Sequence, residues 1–349
     1  MADAYPELQE AVRQAAAQGR ALAIRAGGSK DFYGGETRGE RLDVNALRGI
    51  VAYEPRELVL TAKAATPLAE IEALLAEQGQ MLAFEPPHYG AAATLGGTLA
   101  CGFSGPRRAY AGAARDFVLG LSLIDGRGEH LHFGGRVMKN VAGYDVSRFA
   151  VGSLGVLGVF TEISLKVLPR PRHEITLQFE MDEARAIEAL NRWARQPLPL
   201  SAGSFHEGLL AVRLSGAESA LHAARAQLGG EVLEHGAEFW RRLKEHDTPF
   251  FAQAPLWRLA LPSTTPPLDL PGRQWIEWGG GLRWVATDLP AETVFAAAQA
   301  HGGHATLFRG AGAQRFQPLA SPLLQLHRRL KAAFDPAGIF NPGRLYSEL

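Results

Sequence analysis

Glycine-rich residues 93–105 place the strongest constraint on what this chain can fold into. The glycines of this segment are Gly96, Gly97, Gly102 and Gly105. A loop that has no side chains on one face lets its backbone N–H groups approach a phosphate or a flat ring closely. The segment also carries hydroxyl donors from Thr94, Thr98 and Ser104. We predict a ligand-binding loop here, although a single loop of this kind is more often an ordinary tight turn.

A second glycine-rich loop follows the short apolar strand predicted at residues 21–24. This loop consists of Arg25, Ala26, Gly27, Gly28, Ser29 and Lys30. Two donor-rich loops that lie far apart in the chain suit a ligand with two separate regions to hold. The pair therefore favours a dinucleotide, whose negatively charged diphosphate needs charge-assisted donors.

Composition excludes several classes of protein. A chain of 349 residues suits two domains, since single domains usually hold roughly 100–200 residues. The 36 Lys and Arg residues balance the 36 Asp and Glu residues, so neither nucleic acid nor an anionic membrane is an expected partner. Cys101 is the only cysteine, which excludes an internal disulfide framework and a cysteine-ligated iron–sulfur cluster.

Hydrophobic patterning gives no sign of a membrane segment. The first residues lack a charged region followed by an apolar one, and no apolar run reaches the ~20 residues that a membrane span needs. We therefore expect a cytoplasmic protein without direct membrane insertion, which reaches a membrane, if at all, through partner subunits.

The pattern of the first 168 residues predicts two small α+β units. We expect a helix over 5–19, and a second helix after residue 66 with Thr66 as its N-cap. The turn at residues 125–128 predicts a hairpin between strands 117–124 and 130–133.

Prolines 169 and 171 mark the predicted domain boundary. Residues 169–320 alternate helices with strands, which is typical of an antiparallel sheet covered by helices on one face. Residues 321–349 predict a helix and a rigid hook built from Asn-Pro and Pro-Gly turns, and we expect this hook to return to the first domain. The predicted fold class is α+β.

Six segments together resemble the FAD-linked oxidase family, whose flavin domain is of the vanillyl-alcohol-oxidase/PCMH type. The segments are 25–30, 94–97, 115–120, 138–145, 152–162 and 334–344. Residues 85–90, 104–108 and 139–145 narrow the resemblance to FAD-binding subunits of glycolate oxidases. The resemblance implies a PCMH-type FAD-binding domain of two α+β subdomains at 1–168, an α+β cap domain at 169–320, and a C-terminal helix and hook at 321–349.

The resemblance also implies which residues hold FAD. They are Arg25, Ala26, Gly27, Gly28, Ser29, Lys30, Pro86, Thr94, Leu95, Gly96, Gly97, Cys101, Gly102, Ser104, Arg115, Asp116, Lys139, Asn140, Gly143, Tyr144, Gly155, Val159 and Asn341. We interpret Cys101 as a small buried residue and not as a site of covalent flavin attachment. Neither glycine-rich loop contains a histidine that could form such a link. We expect noncovalent FAD.

Catalytic residues are harder to name. His88 and Arg309 are weak candidates, since no base and cation stand at a diagnostic spacing, and a histidine in a proline-rich loop is more often structural. Catalytic relatives that oxidise 2-hydroxy acids carry a metal motif in the second domain, and residues 301–306 do not match it. We expect no metal site.

By resemblance, the function is that of an FAD-binding subunit of a glycolate (2-hydroxy acid) oxidase complex. Its implied partners are a catalytic flavin subunit and an iron–sulfur subunit. Two alternatives stay open, a self-sufficient FAD-dependent 2-hydroxy-acid dehydrogenase and a non-catalytic assembly subunit with structural FAD. A reductase that oxidises NADPH is more remote, because the sequence offers no basic site for a nicotinamide phosphate.

Overall fold

Two large antiparallel β-sheets, two short strand pairs and the helices around them make up the computed structural model, which describes residues 4–135, 145–312 and 314–349. The helices are α1 (Ala4–Gln18), α2 (Leu68–Glu77), α3 (Leu95–Cys101), α4 (Arg108–Ala111), α5 (Val146–Phe149), α6 (Glu183–Trp193), α7 (Glu218–Leu228), α8 (Gly236–Glu245), α9 (Ala291–Ala300) and α10 (Ser321–Phe334). The predicted α+β class is confirmed. None of the described helices combines the length and the apolar character needed to cross a membrane.

The strands of the first half begin with the parallel pair β1 (Leu22–Arg25) and β2 (Glu40–Asp43). A five-stranded sheet follows, in the order β3 (Ile50–Glu54), β4 (Val59–Lys63), β8 (Val159–Lys166), β6 (Val118–Ile124) and β7 (His130–Gly134). The predicted hairpin joins β6 and β7, where the Asp125 carboxylate accepts the N–H groups of Arg127 and Glu129 at 2.9 Å. Short strands β5 (Gln80–Met81) and β9 (Leu168–Pro169) pair beside this sheet.

The predicted N-cap at Thr66 is wrong. Helix α2 begins at Leu68 with Pro67 as its cap residue. The Thr66 hydroxyl instead accepts the N–H of Gly49 at 2.9 Å and donates to its carbonyl at 3.1 Å. The Thr66 hydroxyl therefore bonds to another loop and does not cap the helix in the way that the local sequence pattern predicts.

The predicted glycine-rich loop at 93–105 is partly wrong as well, because helix α3 occupies its centre. Thr94 caps the helix by accepting the N–H of Gly97 at 3.2 Å, and Gly102 ends it in a left-handed conformation. Glycine disfavours a helix by itself. Here the packing requires it, since a Cβ on Gly96 would lie 2.8 Å from the Cβ of Ala64.

The second half forms an eight-stranded antiparallel sheet, as predicted. Its order is β13 (Glu231–Val232), β10 (His173–Glu180), β12 (Leu209–Gly216), β11 (Leu200–His206), β15 (Arg273–Glu277), β16 (Leu282–Ala286), β14 (Leu256–Ala260) and β17 (His304–Arg309). Helices α6, α7 and α9 cover one face with buried apolar side chains. The other face carries Trp275 and Trp284, which are cross-strand partners and pack with residues of the first half.

The C-terminal segment packs against the start of the chain. Lys331 of α10 is buried and donates to the carbonyls of Val156 and Phe340 at 2.8 Å and to Asp335 at 2.7 Å. The N–H of Asn341 donates to the carbonyl of Leu22 at 2.9 Å. Residues far apart in the sequence therefore meet at the first residue of strand β1.

Candidate functional site

A cavity of about 1170 Å³ lies where the loop after β1, helix α3 and the C-terminal segment meet. It exceeds the roughly 300–1,000 Å³ that is common for small-molecule pockets. Its size suits an extended ligand such as a dinucleotide.

Loop 25–30 supplies the free backbone donors of this cavity. Within the described residues, the N–H groups of Gly27, Gly28 and Ser29 have no hydrogen-bond acceptor. A Cβ on Gly27 would lie 1.6 Å from the carbonyl oxygen of Ala92, and Gly28 has a φ of +74°. Glycine is therefore required at both positions, for close packing and for the left-handed turn. The loop presents donors towards an anion, as a backbone nest does.

The first turn of α3 lines the cavity but offers no free backbone donors. The N–H of Leu95 donates to Thr66, that of Gly96 to Ala64 and that of Gly97 to the Thr94 hydroxyl. The expectation that both glycine-rich segments donate to a ligand is therefore corrected. Helix α3 forms a wall of the cavity, and loop 25–30 carries the donors.

Lys30 is the buried cation of the cavity. Its Nζ donates to the His88 carbonyl at 3.1 Å and to the Ser29 hydroxyl at 3.2 Å. Burial lowers the pKa of Lys30 to about 8, while the charges of Cys101 and Glu245 act in the opposite direction. An anionic ligand would favour the charged form of this side chain.

The C-terminal segment closes the cavity on another side. Asn341 accepts the N–H of Ile24 at 2.9 Å through Oδ1 and donates to the Leu154 carbonyl at 2.7 Å through Nδ2. Arg344 donates to the Gly35 carbonyl at 2.9 Å and to the Thr37 hydroxyl at 2.7 Å. These bonds hold loop 25–37 against the end of the chain.

Of the residues predicted to hold FAD, many line the cavity: Arg25, Ala26, Gly27, Gly28, Ser29, Lys30, Thr94, Gly96, Gly97, Cys101, Gly155 and Asn341. Others do not line it: Pro86, Leu95, Gly102, Ser104, Arg115, Asp116 and Val159. The Ser104 hydroxyl accepts the N–H of Ala114 at 2.9 Å, while Leu95 and Val159 lie in apolar cores. Lys139, Asn140, Gly143 and Tyr144 lie outside the described residues.

His88 and Arg309 do not line the cavity either. The ring Nε2 of His88 is 3.0 Å from the Glu72 carboxylate, and Arg309 donates to the Phe251 carbonyl at 2.7 Å. Both side chains therefore have protein partners outside the cavity. In the described ranges, no group of three or more His, Cys, Asp or Glu side chains is placed to hold a metal ion.

Sequence reasoning missed four arginines that line the cavity: Arg38, Arg41, Arg315 and Arg344. Arg315 has a buried Nη1 atom without a partner among the described residues. Of the four, only Arg344 could have been found from the sequence, because it is the last residue of the turn motif that predicts the C-terminal hook. The cations outnumber the nearby carboxylates of Asp31, Glu36 and Glu348, which suits an anionic ligand.

The residues of the cavity fit FAD. Loop 25–30 has free N–H groups and a lysine for a diphosphate, and the walls from α3 and Phe32 are apolar or small. Cys101 lines the cavity as well, and burial raises the pKa of its thiol to about 11. The thiol is therefore protonated and a poor nucleophile at neutral pH.

Comparison with known proteins agrees with this geometry. Residues 2–134 match the family described as FAD binding domain, and residues 313–345 match FAD linked oxidases, C-terminal domain. Glycolate oxidase subunit GlcE of Escherichia coli (strain K12) is 51% identical over 98% of this chain and 97% of its own length. Glycolate oxidase subunit GlcD of Bacillus subtilis (strain 168) is 34% identical over 34% of this chain and 25% of its own.

Solved structures of an alkyldihydroxyacetonephosphate synthase share the fold. Two of them superpose with TM-scores of 0.66 and 0.67 over 97% of this chain, at 16% and 15% identity, and cover 74% and 75% of the solved chains. The family matches and the identity to GlcE across nearly the whole length go further than the fold. This chain belongs to the FAD-linked oxidases, oxidoreductases with an FAD-binding domain, in the group of the glycolate oxidase subunit GlcE.

Proposed function

We propose that this chain is the FAD-binding subunit of a glycolate oxidase complex, where it takes part in flavin-mediated oxidation of a 2-hydroxy acid and in electron transfer to other subunits. The observation that carries the proposal is the 51% identity over 97% of GlcE, which includes the cavity-lining loop 25–30. FAD supplies the redox chemistry when it is bound.

The role of this chain's residues is to hold and orient that cofactor. The N–H groups of Gly27, Gly28 and Ser29 and the Lys30 ammonium would bind the diphosphate, because their donors lack other partners or carry charge. The remaining residues predicted to hold FAD, including those that do not line the cavity, belong to the proposal through the family resemblance. Cys101 is the only cysteine, and its protonated thiol favours noncovalent attachment.

The domain organisation and the surroundings of the chain are parts of the same proposal. We divide it into an FAD-binding domain at 1–168, a cap domain at 169–320 and a C-terminal helix and hook at 321–349. Its partners would be a catalytic flavin subunit and an iron–sulfur subunit, because one cysteine is too few to ligate a cluster here. A cytoplasmic location, with membrane contact through those partners, completes the proposal.

The visible absorption spectrum of the purified full-length chain tests the proposal. We expect the double absorption band of oxidised flavin, and release of intact FAD by heat or acid. Co-purification with the partner subunits should depend on this chain. A chain that neither retains FAD nor takes it up on reconstitution would contradict the proposal.

A further inference from the structure

The inner wall of the cavity is shared with a cluster of aromatic rings between the two sheets. Phe32 lines the cavity and lies 5.3 Å from Phe308 and 5.6 Å from Tyr89, measured between ring centroids. We define the interface aromatic cluster as Phe32, Tyr33, Tyr89, Phe103, Trp284 and Phe308. Its rings come from both halves of the chain and pack edge to face or tilted, with centroids 4.7–6.0 Å apart.

Behind these rings a small chamber remains, with a volume of about 20 Å³. Tyr89, Phe103, Trp284 and Phe308 of the cluster form part of its lining. A space of this size holds about one water molecule. Even glycolate, the smallest 2-hydroxy acid, is several times larger than water, so it cannot enter the chamber as the side chains stand.

The chamber nevertheless carries the groups that oxidation of a hydroxy acid needs, a cation for the carboxylate and a base for the hydroxyl proton. The Arg258 guanidinium makes no hydrogen bond or ion pair within the described ranges and stacks over Trp278 at 5.1 Å. Glu277 is 4% exposed and accepts a hydrogen bond from Trp284 at 2.7 Å. The cluster borders this chamber on one side and the cavity on the other, through Phe32.

We infer that the interface aromatic cluster closes the chamber that holds Arg258 and Glu277 to 2-hydroxy acids, so that an FAD bound to this chain is reduced by another redox protein. The inference rests on the proposed function and specifies it. The donor is a reduced flavin subunit that has oxidised the hydroxy acid. With FAD bound, two electrons would pass from the reduced donor flavin to the FAD of this chain, the donor flavin would be reoxidised, and the accompanying protons would exchange with water.

Anaerobic titration of the isolated, FAD-loaded chain tests the inference. Dithionite should bleach the flavin band, which shows that the cofactor can be reduced. Glycolate and D-lactate should leave the band unchanged, and oxalate, a non-oxidisable analogue, should cause no saturable spectral shift. Adding the reduced flavin partner should bleach the band. Bleaching by glycolate or D-lactate alone, or a saturable oxalate shift, would overturn the inference.

A variant that opens the cluster should gain the ability to bind a hydroxy-acid analogue, which tests the inference in the opposite direction. Phe308→Ala removes a fully buried ring that contacts both Phe32 and Trp284. We expect oxalate to cause a saturable shift of the flavin spectrum of this variant, over a concentration range in which the wild type shows none. Phe295→Ala is the matched control, since Phe295 is also buried, at 5% exposed, but packs from helix α9 against the opposite face of the same sheet.

If Phe308→Ala does not fold by circular dichroism, Phe308→Leu takes its place. If oxalate causes no saturable shift in the flavin spectrum of the folded variant, as in the wild type, the cluster is not what excludes the acid. Failure of this inference differs from failure of the proposed function. A chain that retains FAD and responds to glycolate overturns only the inference, whereas a chain without FAD contradicts the function.

Discussion

Gly27 is the residue that loop 25–30 depends on most. A Cβ there would lie 1.6 Å from the Ala92 carbonyl oxygen, a distance that backbone atoms can relieve only by moving the loop. We expect Gly27→Ala to weaken FAD binding by at least about tenfold, which is ~1.4 kcal/mol. Fluorescence titration of the apo-chain with FAD measures the change. Gly216→Ala is the control, because its Cβ would meet only Pro199 at 3.8 Å.

Lys30 gives FAD binding a pH dependence. Because burial lowers its pKa to about 8, the ammonium loses its proton as the pH rises past that value, and a diphosphate then loses a cation. The FAD dissociation constant should therefore be flat below pH 8 and rise above it. In Lys30→Met it should be larger at pH 7 and no longer change around pH 8. An unchanged rise above pH 8 in that variant would assign the effect to another group.

Glu277 affects stability rather than binding. Burial raises its pKa to about 7, against the hydrogen bond from Trp284 and the charge of Arg258, while the unfolded chain keeps the ordinary value near 4.5. Between these values the folded state binds a proton that the unfolded state lacks, so the free energy of unfolding falls as the pH rises. Glu277→Gln should flatten the curve from pH 4.5 to 7, as measured by urea denaturation. Equal slopes for both proteins would contradict this.

At the scale of elements, an ion cluster joins the loop after β5 to the second sheet. The Glu85 carboxylate accepts hydrogen bonds from Arg213 at 2.8 and 2.9 Å and from the side chain of Arg107 at 3.1 Å. Burial raises the pKa of Glu85, but the two arginines outweigh it, and the pKa lies below its ordinary value. The stability that this carboxylate contributes is therefore present above pH 4.5 and lost as the pH falls further.

Arg213→Met should show how strongly that cluster couples the sheets. Removing one partner of a buried ion pair typically costs about 3–5 kcal/mol when the other charge is left unpaired, and because Glu85 keeps Arg107 the loss should lie at the lower end of that range. We expect a loss of this size in the free energy of unfolding at pH 7, measured by urea denaturation. Arg48→Met, which breaks the exposed pair with Glu70, should cost less than about 1 kcal/mol. Similar losses in both variants would argue against the coupling.

Local patterns predicted most of the elements, and long-range packing accounts for what they missed. The hairpin at 125–128 and the antiparallel second sheet depend on turn residues and alternation, which a short window contains. Helix α3 was not predicted because Gly96 is required by its close packing against Ala64, which lies outside the local window. Thr66 was wrongly assigned as the N-cap because its hydroxyl hydrogen-bonds to Gly49 instead. Contacts of this kind leave no local signal.

Across the whole molecule, the same reasoning explains the cavity. Loop 25–30 could be predicted as a binding loop because its glycines, serine and lysine are contiguous in the sequence. The arginines at 38, 41 and 315 have no motif and reach the cavity only through the fold. For Asn341, the sequence predicted the Asn-Pro turn but not the hydrogen-bond partners. Those partners, Ile24 and Leu154, lie 317 and 187 residues away in the chain. The cavity is therefore assembled by the closing of the chain's two ends.

Asn341→Ala should open that closure and release FAD before the second sheet unfolds. The change leaves the half-buried Ile24 N–H and the buried Leu154 carbonyl without the Asn341 partner, at about 1–3 kcal/mol for the buried carbonyl and less for the N–H. All six tryptophans lie beyond residue 192, so their fluorescence reports on the second half, while flavin fluorescence reports on the cavity. In urea, the flavin-release midpoint should fall well below the tryptophan midpoint. In Asn45→Ala, which removes an exposed side-chain hydrogen bond to Asp43, the two midpoints should keep their wild-type separation. Two midpoints that fall together in Asn341→Ala would mean that the closure supports both halves equally.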